Sequence, residues 1–286
     1  MKQIQWFPGH MAKTKAEISA DIKMVDIVIE LLDARIPISS SNPLIASLIG
    51  NKKRLILLNK SDLASKEETD KWIEYFNSEK IPAMAVNSTK NNLYTKQIYK
   101  KITDICEDKI ARNLRKGIKN TTIRAMVVGI PNVGKSTLIN SVSNKAATKT
   151  GNKPGVTKSK QWIRLNKNIE LLDTPGILWH RFENETVARN LAFIGSIKDD
   201  IMDISDLAYH LIVLLQNSYQ GSLSARYDVN EEKPALDLLN DIAIKRGCLL
   251  KGGLPNVELA SKLILDDFRK QKFGNFTLER VDDIDK

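Results

Sequence analysis

A phosphate-binding loop is the most specific chemical feature of this sequence. Residues Gly129–Ser136 read G-I-P-N-V-G-K-S and fit the pattern G-x-x-x-x-G-K-[ST]. The glycines let backbone N–H groups close around phosphate oxygens, at the start of a helix whose dipole favours an anion. Lys135 would neutralise the β- and γ-phosphates of a nucleotide, and the Ser136 hydroxyl would ligate Mg²⁺. The predicted phosphate contacts are Asn132, Val133, Gly134, Lys135, Ser136 and Thr137.

A γ-phosphate switch is predicted 37 residues after Ser136, where residues 173–176 read D-T-P-G and fit D-x-x-G. By itself this tetrapeptide is a common strand-to-loop turn, but behind a phosphate-binding loop the switch is favoured. Asp173 would hold Mg²⁺ in its outer shell, and the Gly176 N–H would meet the γ-phosphate. Thr157, between the two motifs, is the candidate for the threonine that ligates Mg²⁺ when a triphosphate is bound.

A second group of residues is suited to recognising a guanine base. Residues 59–62 read N-K-S-D, and the Asp62 carboxylate can accept hydrogen bonds from the N1–H and 2-amino groups of guanine, which adenine does not offer. Lys60 would lie over the base, and the N-S-T loop at residues 87–89 stands where a backbone amide would meet guanine O6. Alone, either segment reads as a polar loop. The predicted base contacts are Asn59, Lys60, Ser61, Asp62, Asn87 and Ser88.

The elements that must position these loops form an alternating pattern. Apolar, β-branched runs that end in polar residues predict buried parallel strands at Val25–Leu32, Arg54–Leu58, Ala83–Val86, Ile123–Val128 and Ile169–Leu172. Helical patterns lie between them at Ser65–Ser78 and Leu93–Leu114. The alternation predicts a doubly wound α/β sheet, with each motif directly after a strand.

A separate helical domain is predicted after Gly176, where the strand pattern fades. Amphipathic patterns predict helices at Thr186–Ile194, Ser205–Asn217, Pro234–Lys245 and Val257–Arg269. The Gly- and Pro-containing stretch Gly247–Pro255 predicts a loop between the last two. We therefore expect a nucleotide-binding domain at residues 1–178 and a helical domain, with a potential RNA-binding role, at 179–286.

The composition is that of an ordinary globular protein, with 42% hydrophobic and 27% charged residues in 286. Its two cysteines, Cys106 and Cys248, have no Cys or His at metal-ligand spacing, so we expect neither a zinc site nor a disulfide framework. The longest clean apolar stretch, Leu211–Leu215, is too short to span a bilayer. We expect a cytoplasmic monomer with no membrane partner.

The net charge of +10 is concentrated in the first part of the chain and indicates a polyanionic partner. From Phe182 onward there are 13 Lys/Arg against 18 Asp/Glu, so the preceding 181 residues carry a net +15. Lys90–Arg124 contains ten basic and three acidic residues, and Lys145–Lys167 contains seven basic and no acidic ones. The first stretch could equally be a solvated helix face. That explanation is less convincing for the second stretch, which has no acidic residues.

The order of the motifs resembles that of the circularly permuted GTPases of the YlqF class. The base motif and its second loop come first, then the phosphate-binding loop, the Mg²⁺ threonine and D-x-x-G, which is a rotation of the Ras-like order. The sequences D-A-R-I-P at 33–37 and F-P-G-H-M at 7–11 add to the resemblance. It implies a permuted Ras-like P-loop GTPase that acts in late assembly of the large ribosomal subunit, with ribosomal RNA as partner and the particle as activator.

The usual water-positioning glutamine is missing, because Ile177 stands where Ras-like enzymes carry it. Hydrolysis by the chain alone should be slow. Of the three histidines, His10 is favoured as the water-positioning group, while His180 fits a solvated loop residue and His210 a structural histidine. In related GTPases an asparagine at the place of Asn132 ligates an activating K⁺, and Asn132 either does so here or has no ligand role.

Two other functions remain possible from the sequence. One is a GTP-regulated binding switch for a protein or membrane partner. The lack of a basic amphipathic anchor or a lipidation motif argues against a membrane partner. The other is a P-loop kinase, in which N-K-x-D would have no purpose.

The base-recognition hypothesis predicts that Asp62→Asn shifts nucleotide preference from guanine toward xanthine, whose 2-oxo group suits an amide donor. Titration of the wild type and the variant with GDP, XDP and ADP measures the shift, which we expect to be at least about tenfold. Tight ADP binding by the wild type, or an unchanged guanine preference in the variant, would contradict the assignment.

Overall fold

Two compact units make up the protein in the computed structural model, which describes residues 8–90, 93–143, 161–174, 184–197, 199 and 202–284, without the side chains of 8–15 and 161. One unit comprises the described residues up to 174 together with 276–284, and the other comprises those from 184 to 275. Residues 276–284, which we call the C-terminal tail, therefore belong to the first unit. No helix within these ranges has the length and apolar character needed to cross a membrane.

The first unit is built on a six-stranded sheet in the order β3-β2-β1-β4-β6-β5. Its strands are β1 (Ile27–Asp33), β2 (Lys53–Asn59), β3 (Ala83–Ala85), β4 (Ile123–Val128), β5 (Gln161–Arg164) and β6 (Ile169–Asp173). All neighbours pair in parallel except β5, which pairs antiparallel to β6. The carboxyl ends of the parallel strands therefore share one edge, where open α/β sheets bind their ligands.

Helices cover both faces of this sheet. They are α1 (Pro8–Met24), α2 (Pro37–Ser40), α3 (Pro43–Ile49), α4 (Lys66–Ser78), α5 (Thr95–Ile105), α6 (Glu107–Arg115) and α7 (Lys135–Ser143). Ile18 and Ile22 of α1 form one core cluster with Ile45 and Ile49 of α3. A second cluster, which contains Trp72 of α4, lies on the same face of the sheet, because its Leu32 and the Val28 of the first cluster are an even number of positions apart in β1. Burial on both sides explains why the strands are apolar throughout rather than alternating.

The second unit is helical. It consists of α8 (Glu185–Phe193), α9 (Ile204–Ser218), α10 (Ser222–Tyr227), α11 (Ala235–Lys245) and α12 (Val257–Arg269). The other four helices pack against α9, whose Leu207, Leu211 and Leu215 are fully buried. At the end of α12, Arg269 donates hydrogen bonds to the carbonyl oxygens of Ala192 and Phe193, and so satisfies the last turn of α8.

The fold follows the sequence pattern except in a few elements. Each predicted strand and helix is present within a few residues, but the pattern at Leu93–Leu114 is two helices that break at Cys106. Strand β5 and the helices α1, α2, α3 and α10 were not predicted. Strand β5 is a four-residue edge strand in a basic stretch and depends on its pairing with β6, which no local pattern reveals.

The C-terminal tail lies outside the domain to which the sequence assigned it. Residues 179–286 were predicted to form one helical domain, whereas the tail packs on the nucleotide-binding unit. The Leu278 N–H donates to the Arg35 carbonyl oxygen (2.8 Å), and the Phe276 N–H donates to that of Leu63 (3.0 Å). These partners are more than two hundred positions away in the chain, so neither periodicity nor composition could indicate them.

Candidate nucleotide-binding site

The side-chain amide of Asn59 joins three loops that are far apart in the sequence. Asn59 ends β2, is fully buried, and donates from Nδ2 to the Val133 carbonyl oxygen (2.7 Å) and to Ser88 Oγ (3.0 Å). Its Oδ1 accepts a hydrogen bond from the Ser88 N–H (3.0 Å). The N-K-S-D loop, the loop after β3 and the phosphate-binding loop are thereby held at one point of the sheet edge.

Two glycines of the phosphate-binding loop are required by close contacts. Gly134 has φ +102°, and a Cβ built on it would lie 2.4 Å from Asn59 Nδ2. Gly129 has φ +156°, and its Cβ would lie 2.6 Å from the Leu31 carbonyl oxygen of β1. Both distances are shorter than van der Waals contact, so a side chain would push this loop away from β1 and β2.

Lys135 is the first residue of α7 and is held back along the phosphate-binding loop. Its Nζ donates to the carbonyl oxygens of Gly129 (3.0 Å) and Ile130 (2.9 Å), and the residue is 6% exposed. Burial lowers the pKa of Lys135 to about 8, an effect that the negative charge of Asp173 opposes. An ammonium carries three donors, so a phosphate oxygen could be bound while these contacts persist.

Asp173 ends β6 as a buried carboxylate. Neither of its oxygens has a hydrogen-bond partner among the described residues. Burial raises the pKa of Asp173 to about 6, and the neighbouring Lys135 counteracts the increase. Thr174 anchors the beginning of the switch, because its Oγ1 donates to the Val127 carbonyl oxygen of β4 (2.6 Å). A buried carboxylate without partners is costly and suits a bound cation or its water shell.

The N-K-S-D loop is anchored by a buried ion cluster at the end of β1. Arg35 makes two parallel bonds to Asp33, at 2.9 and 2.8 Å, and Lys60 Nζ lies 3.1 Å from Asp33 Oδ2. Burial alone would raise the pKa of Asp33, but the charges of Arg35 and Lys60 hold it well below its usual range. Burial also lowers the pKa of Lys60, which has φ +57°.

Asp62 is exposed on this loop, three residues beyond the buried Asn59. The residue before it, Ser61, is tied to the loop after β3, because its N–H and Oγ contact the Val86 carbonyl oxygen at 3.3 and 3.0 Å. The two base loops therefore support each other. The role of Asp33 was missed by the sequence analysis, because its place opposite Asn59, as the last residue of the neighbouring strand, is set by the register of the sheet.

Two backbone N–H groups of the loop after β3 donate hydrogen bonds to side chains of the protein. The Ser88 N–H is bonded to Asn59, and the Thr89 N–H donates to Asn87 Oδ1 (2.9 Å). A contact from this loop to guanine O6 stays a prediction. Asn132 is half-buried with φ +60°, a conformation in which asparagine is enriched, and Thr137 is half-buried in α7.

Some of the predicted site residues cannot be placed. His10 lies within α1, but its side chain is outside the described residues. Thr157, Gly176, Ile177 and His180 lie outside the described residues altogether. In the helical unit, His210 Nδ1 is 3.1 Å from Arg189 Nη1, and its Nε2 is 3.6 Å from Asp206. These contacts are those of a histidine with a structural role.

Proteins of known family resemble this chain along its whole length. A protein of Bacillus licheniformis named ribosome biogenesis GTPase A is 45% identical over 282 residues, covering 98% of this chain and 99% of that protein. A protein of the same name from Thermotoga maritima is 32% identical over 281 residues, covering 98% and 96%. The sequence profile of a family described as a 50S ribosome-binding GTPase matches residues 124–241.

Solved structures of a protein named YlqF share the fold. The GDP-bound form aligns with a TM-score of 0.69 at 27% identity, over 93% of this chain and 100% of that one. The GNP-bound form from T. maritima aligns with a TM-score of 0.68 at 27% identity, over 95% and 100%. These matches confirm the permuted Ras-like fold with a helical domain that the motif order predicts.

The contact between Gly134 and Asn59 generates a prediction for nucleotide binding. Gly134→Ala should weaken GDP and GTP about tenfold to a hundredfold, because the added Cβ meets Asn59 Nδ2 and displaces the amide that joins the three loops. Titration with a fluorescent GDP analogue measures the loss, and thermal unfolding monitors the fold.

Gly117→Ala is the matched control, since Gly117 also has positive φ (+81°) but would place its Cβ in open space. An equal loss of affinity in the two variants would assign the effect to backbone strain instead of to Asn59, and unchanged affinity in Gly134→Ala would contradict the prediction outright.

Proposed function

Because this chain belongs to the ribosome biogenesis GTPase A family and is therefore a GTP hydrolase, we propose that it binds the large ribosomal subunit and acts in its late assembly. Hydrolysis of GTP to GDP and phosphate is stimulated by the particle in this proposal. The observation that carries the nucleotide part is the side-chain amide of Asn59. It brings the N-K-S-D loop, which we also call the guanine-reading loop, and the phosphate-binding loop to one place.

The nucleotide contacts follow from this arrangement. Asp62, exposed on an anchored loop, accepts hydrogen bonds from the guanine N1–H and 2-amino groups. Lys60 covers the base with its stem, and its ammonium is held by Asp33. Lys135 reaches the β- and γ-phosphates, and the N–H groups at the start of α7 surround them. Adenine nucleotides are excluded because Asp62 would face an acceptor at N1 and be left without partners.

Mg²⁺ fits the chain's own residues. The Asp173 carboxylate, whose oxygens accept no hydrogen bond among the described residues, supports a cation site with Asp173 in the outer shell and the hydroxyl groups of Ser136 and Thr157 as ligands. The ion would neutralise charge on the phosphates. Asn132 is proposed as an oxygen ligand for K⁺, from a position of positive φ in the phosphate-binding loop three residues before α7.

The group that positions the attacking water is proposed to be His10. Ile177 cannot hydrogen-bond water, so this chain lacks the glutamine of Ras-like enzymes. His10 is near the start of α1, which packs through Ile18 and Ile22 on the sheet face that includes Met126 of β4. Binding to the particle would bring the imidazole and the water together, so we expect hydrolysis by the chain alone to be slow.

Ribosomal RNA is proposed as the polyanionic partner, bound in large part by the nucleotide-binding unit. No residue of α6 is buried, and in the stretch 93–119 six exposed basic residues outnumber the three exposed acidic residues Asp104, Glu107 and Asp108. The exposed basic residues of this stretch are Lys96, Lys100, Arg112, Arg115, Lys116 and Lys119. Such a patch binds phosphates irrespective of sequence.

Binding to large ribosomal subunits should be tighter with GTP than with GDP and should weaken steeply with salt. The double variant Arg112→Glu/Arg115→Glu should reduce the slope of log affinity against log salt by about 1 to 2, because each phosphate contact contributes about 0.7–0.9. Co-sedimentation with purified subunits across a salt series measures this slope.

The control for that experiment is Lys233→Glu/Lys262→Glu, an equal charge change at exposed positions of the helical unit. It should leave the slope as in the wild type. A salt-insensitive interaction would support a GTP-regulated switch with a protein partner instead, and a failure to co-sediment in either nucleotide state would remove the ribosomal proposal.

The proposed role of His10 predicts that His10→Ala keeps GTP affinity and particle binding but loses most of the particle-stimulated rate. The expected loss is about a hundredfold, because the interaction is made in the transition state and not in the bound substrate. Single-turnover hydrolysis on the particle measures it, with His180→Ala as the control in the same switch region. Wild-type hydrolysis by His10→Ala would transfer the role to a cation at Asn132 or to a group of the particle.

A further inference from the structure

The C-terminal tail is bonded on both sides of the guanine-reading loop. The Phe276 N–H donates to the Leu63 carbonyl oxygen (3.0 Å), and the Ser65 N–H donates to Thr277 Oγ1 (3.0 Å). Phe276 and Thr277 are both buried, at 4% and 3% exposed. Leu63 directly follows Asp62, so the tail holds the chain immediately after the carboxylate that reads the base.

On the other side, the tail holds the segment that fixes Lys60. The Leu278 N–H donates to the Arg35 carbonyl oxygen (2.8 Å), and the Arg35 guanidinium grips Asp33, whose carboxylate contacts Lys60. Backbone and side chain of one arginine thus connect the tail to the buried ion cluster. A displacement of the tail would therefore alter the contacts that hold both ends of the N-K-S-D loop.

Glu279 contributes the strongest of these contacts. Its carboxylate accepts hydrogen bonds from the N–H groups of Ile38 (2.7 Å) and Ser39 (3.0 and 3.1 Å) and from the Ser39 hydroxyl. The next residue, Ser40, accepts through its Oγ from the Asp33 N–H (3.0 Å). Hydrogen bonds to a charged acceptor are stronger than neutral ones, so Glu279 stabilises the segment that leads back to Asp33.

The rest of the tail packs under the same loop. The Glu279 carbonyl oxygen accepts from Trp72 Nε1 (2.9 Å), and Val281 packs on the apolar cluster that contains Trp72 and the buried Ala64. Ala64 lies two residues beyond Asp62. The tail therefore stabilises the guanine-reading loop by apolar packing in addition to its hydrogen bonds.

We propose that the C-terminal tail sets the position of the guanine-reading loop and that Glu279 and Thr277 are positioning residues for base selection. The inference rests on the proposed role of Asp62 in base recognition. It goes beyond that role because it gives a specificity function to residues remote in sequence from every nucleotide motif. Since Phe276 directly follows the last residue of the helical unit, the backbone of the tail and its hydrogen bonds to Leu63 and Ser65 also connect that unit to the base site.

The experiment compares GDP with IDP, whose base lacks the 2-amino group. Glu279→Ala should lower GDP affinity about tenfold and IDP affinity by less, so that the preference for GDP over IDP falls at least about threefold. Glu279→Gln, which keeps an acceptor oxygen, should retain an intermediate preference. Asp282→Ala is the matched control, because this carboxylate of the same tail is 72% exposed and lies 4.0 Å from Lys71, away from the loop.

A second variant distinguishes an effect on base selection from a loss of the fold. Thr277→Val preserves shape and removes the acceptor for the Ser65 N–H, and it should shift the GDP-to-IDP preference in the same direction by about twofold to threefold, while unfolding stays cooperative with only a small decrease in unfolding temperature. Equal losses for GDP and IDP, or unchanged affinities in both Glu279→Ala and Thr277→Val, would overturn the proposal.

Asp62→Asn in the same assay separates the two levels of inference. If Asp62→Asn abolishes the preference for GDP while the tail variants keep it, base recognition stands and the role of the tail is wrong. If Asp62→Asn also leaves the preference intact, the proposed base recognition fails and the role of the tail fails with it.

Discussion

The structure of the nucleotide site depends on one buried side-chain amide. Asn59 donates two hydrogen bonds and accepts a third, and its partner in the phosphate-binding loop, Val133, lies 74 positions away in the chain. A buried amide that lost these partners would retain the full cost of its desolvation, so the three loops are stable only together. The requirement is spatial. Any chain order that returns β2 and β4 to the same sheet satisfies it, and for this reason a permuted GTPase can keep the Ras-like site.

Two buried carboxylates at the sheet edge have opposite electrostatic states. Asp33 is bonded to Arg35 and lies beside Lys60, and these charges hold its pKa below the usual range. Asp173 has no hydrogen-bond partner among the described residues, and burial raises its pKa to about 6. The first carboxylate is already neutralised by the protein and has a structural role. The second is a buried carboxylate whose charge a cation near the phosphates would neutralise. This difference distinguishes a carboxylate of the scaffold from one of the proposed binding site.

The chain enters and leaves the helical unit close in sequence to functional loops. On entry, residue 184 lies eleven positions after Asp173 of the switch motif, and on exit Asn275 is followed at once by the tail that supports the guanine-reading loop. In an unpermuted order the switch would lead into another strand of the sheet. Here the backbone leads from the proposed γ-phosphate switch into the helical unit, and from that unit into the tail that is hydrogen-bonded beside the proposed base site.

The sequence by itself determined the fold class and the identity of the nucleotide motifs, because buried strands need apolar runs and phosphate and guanine recognition need particular residues at short spacing. It also located most strands and helices, since their periodicity is local. Only the tertiary structure decided how the motifs are joined. The Asn59 bridge, the contact of Asp33 with Lys60 and the return of Glu279 to Ser39 are pairings across 27 to 240 positions, whose partners are selected by sheet order and packing and leave no pattern in neighbouring residues.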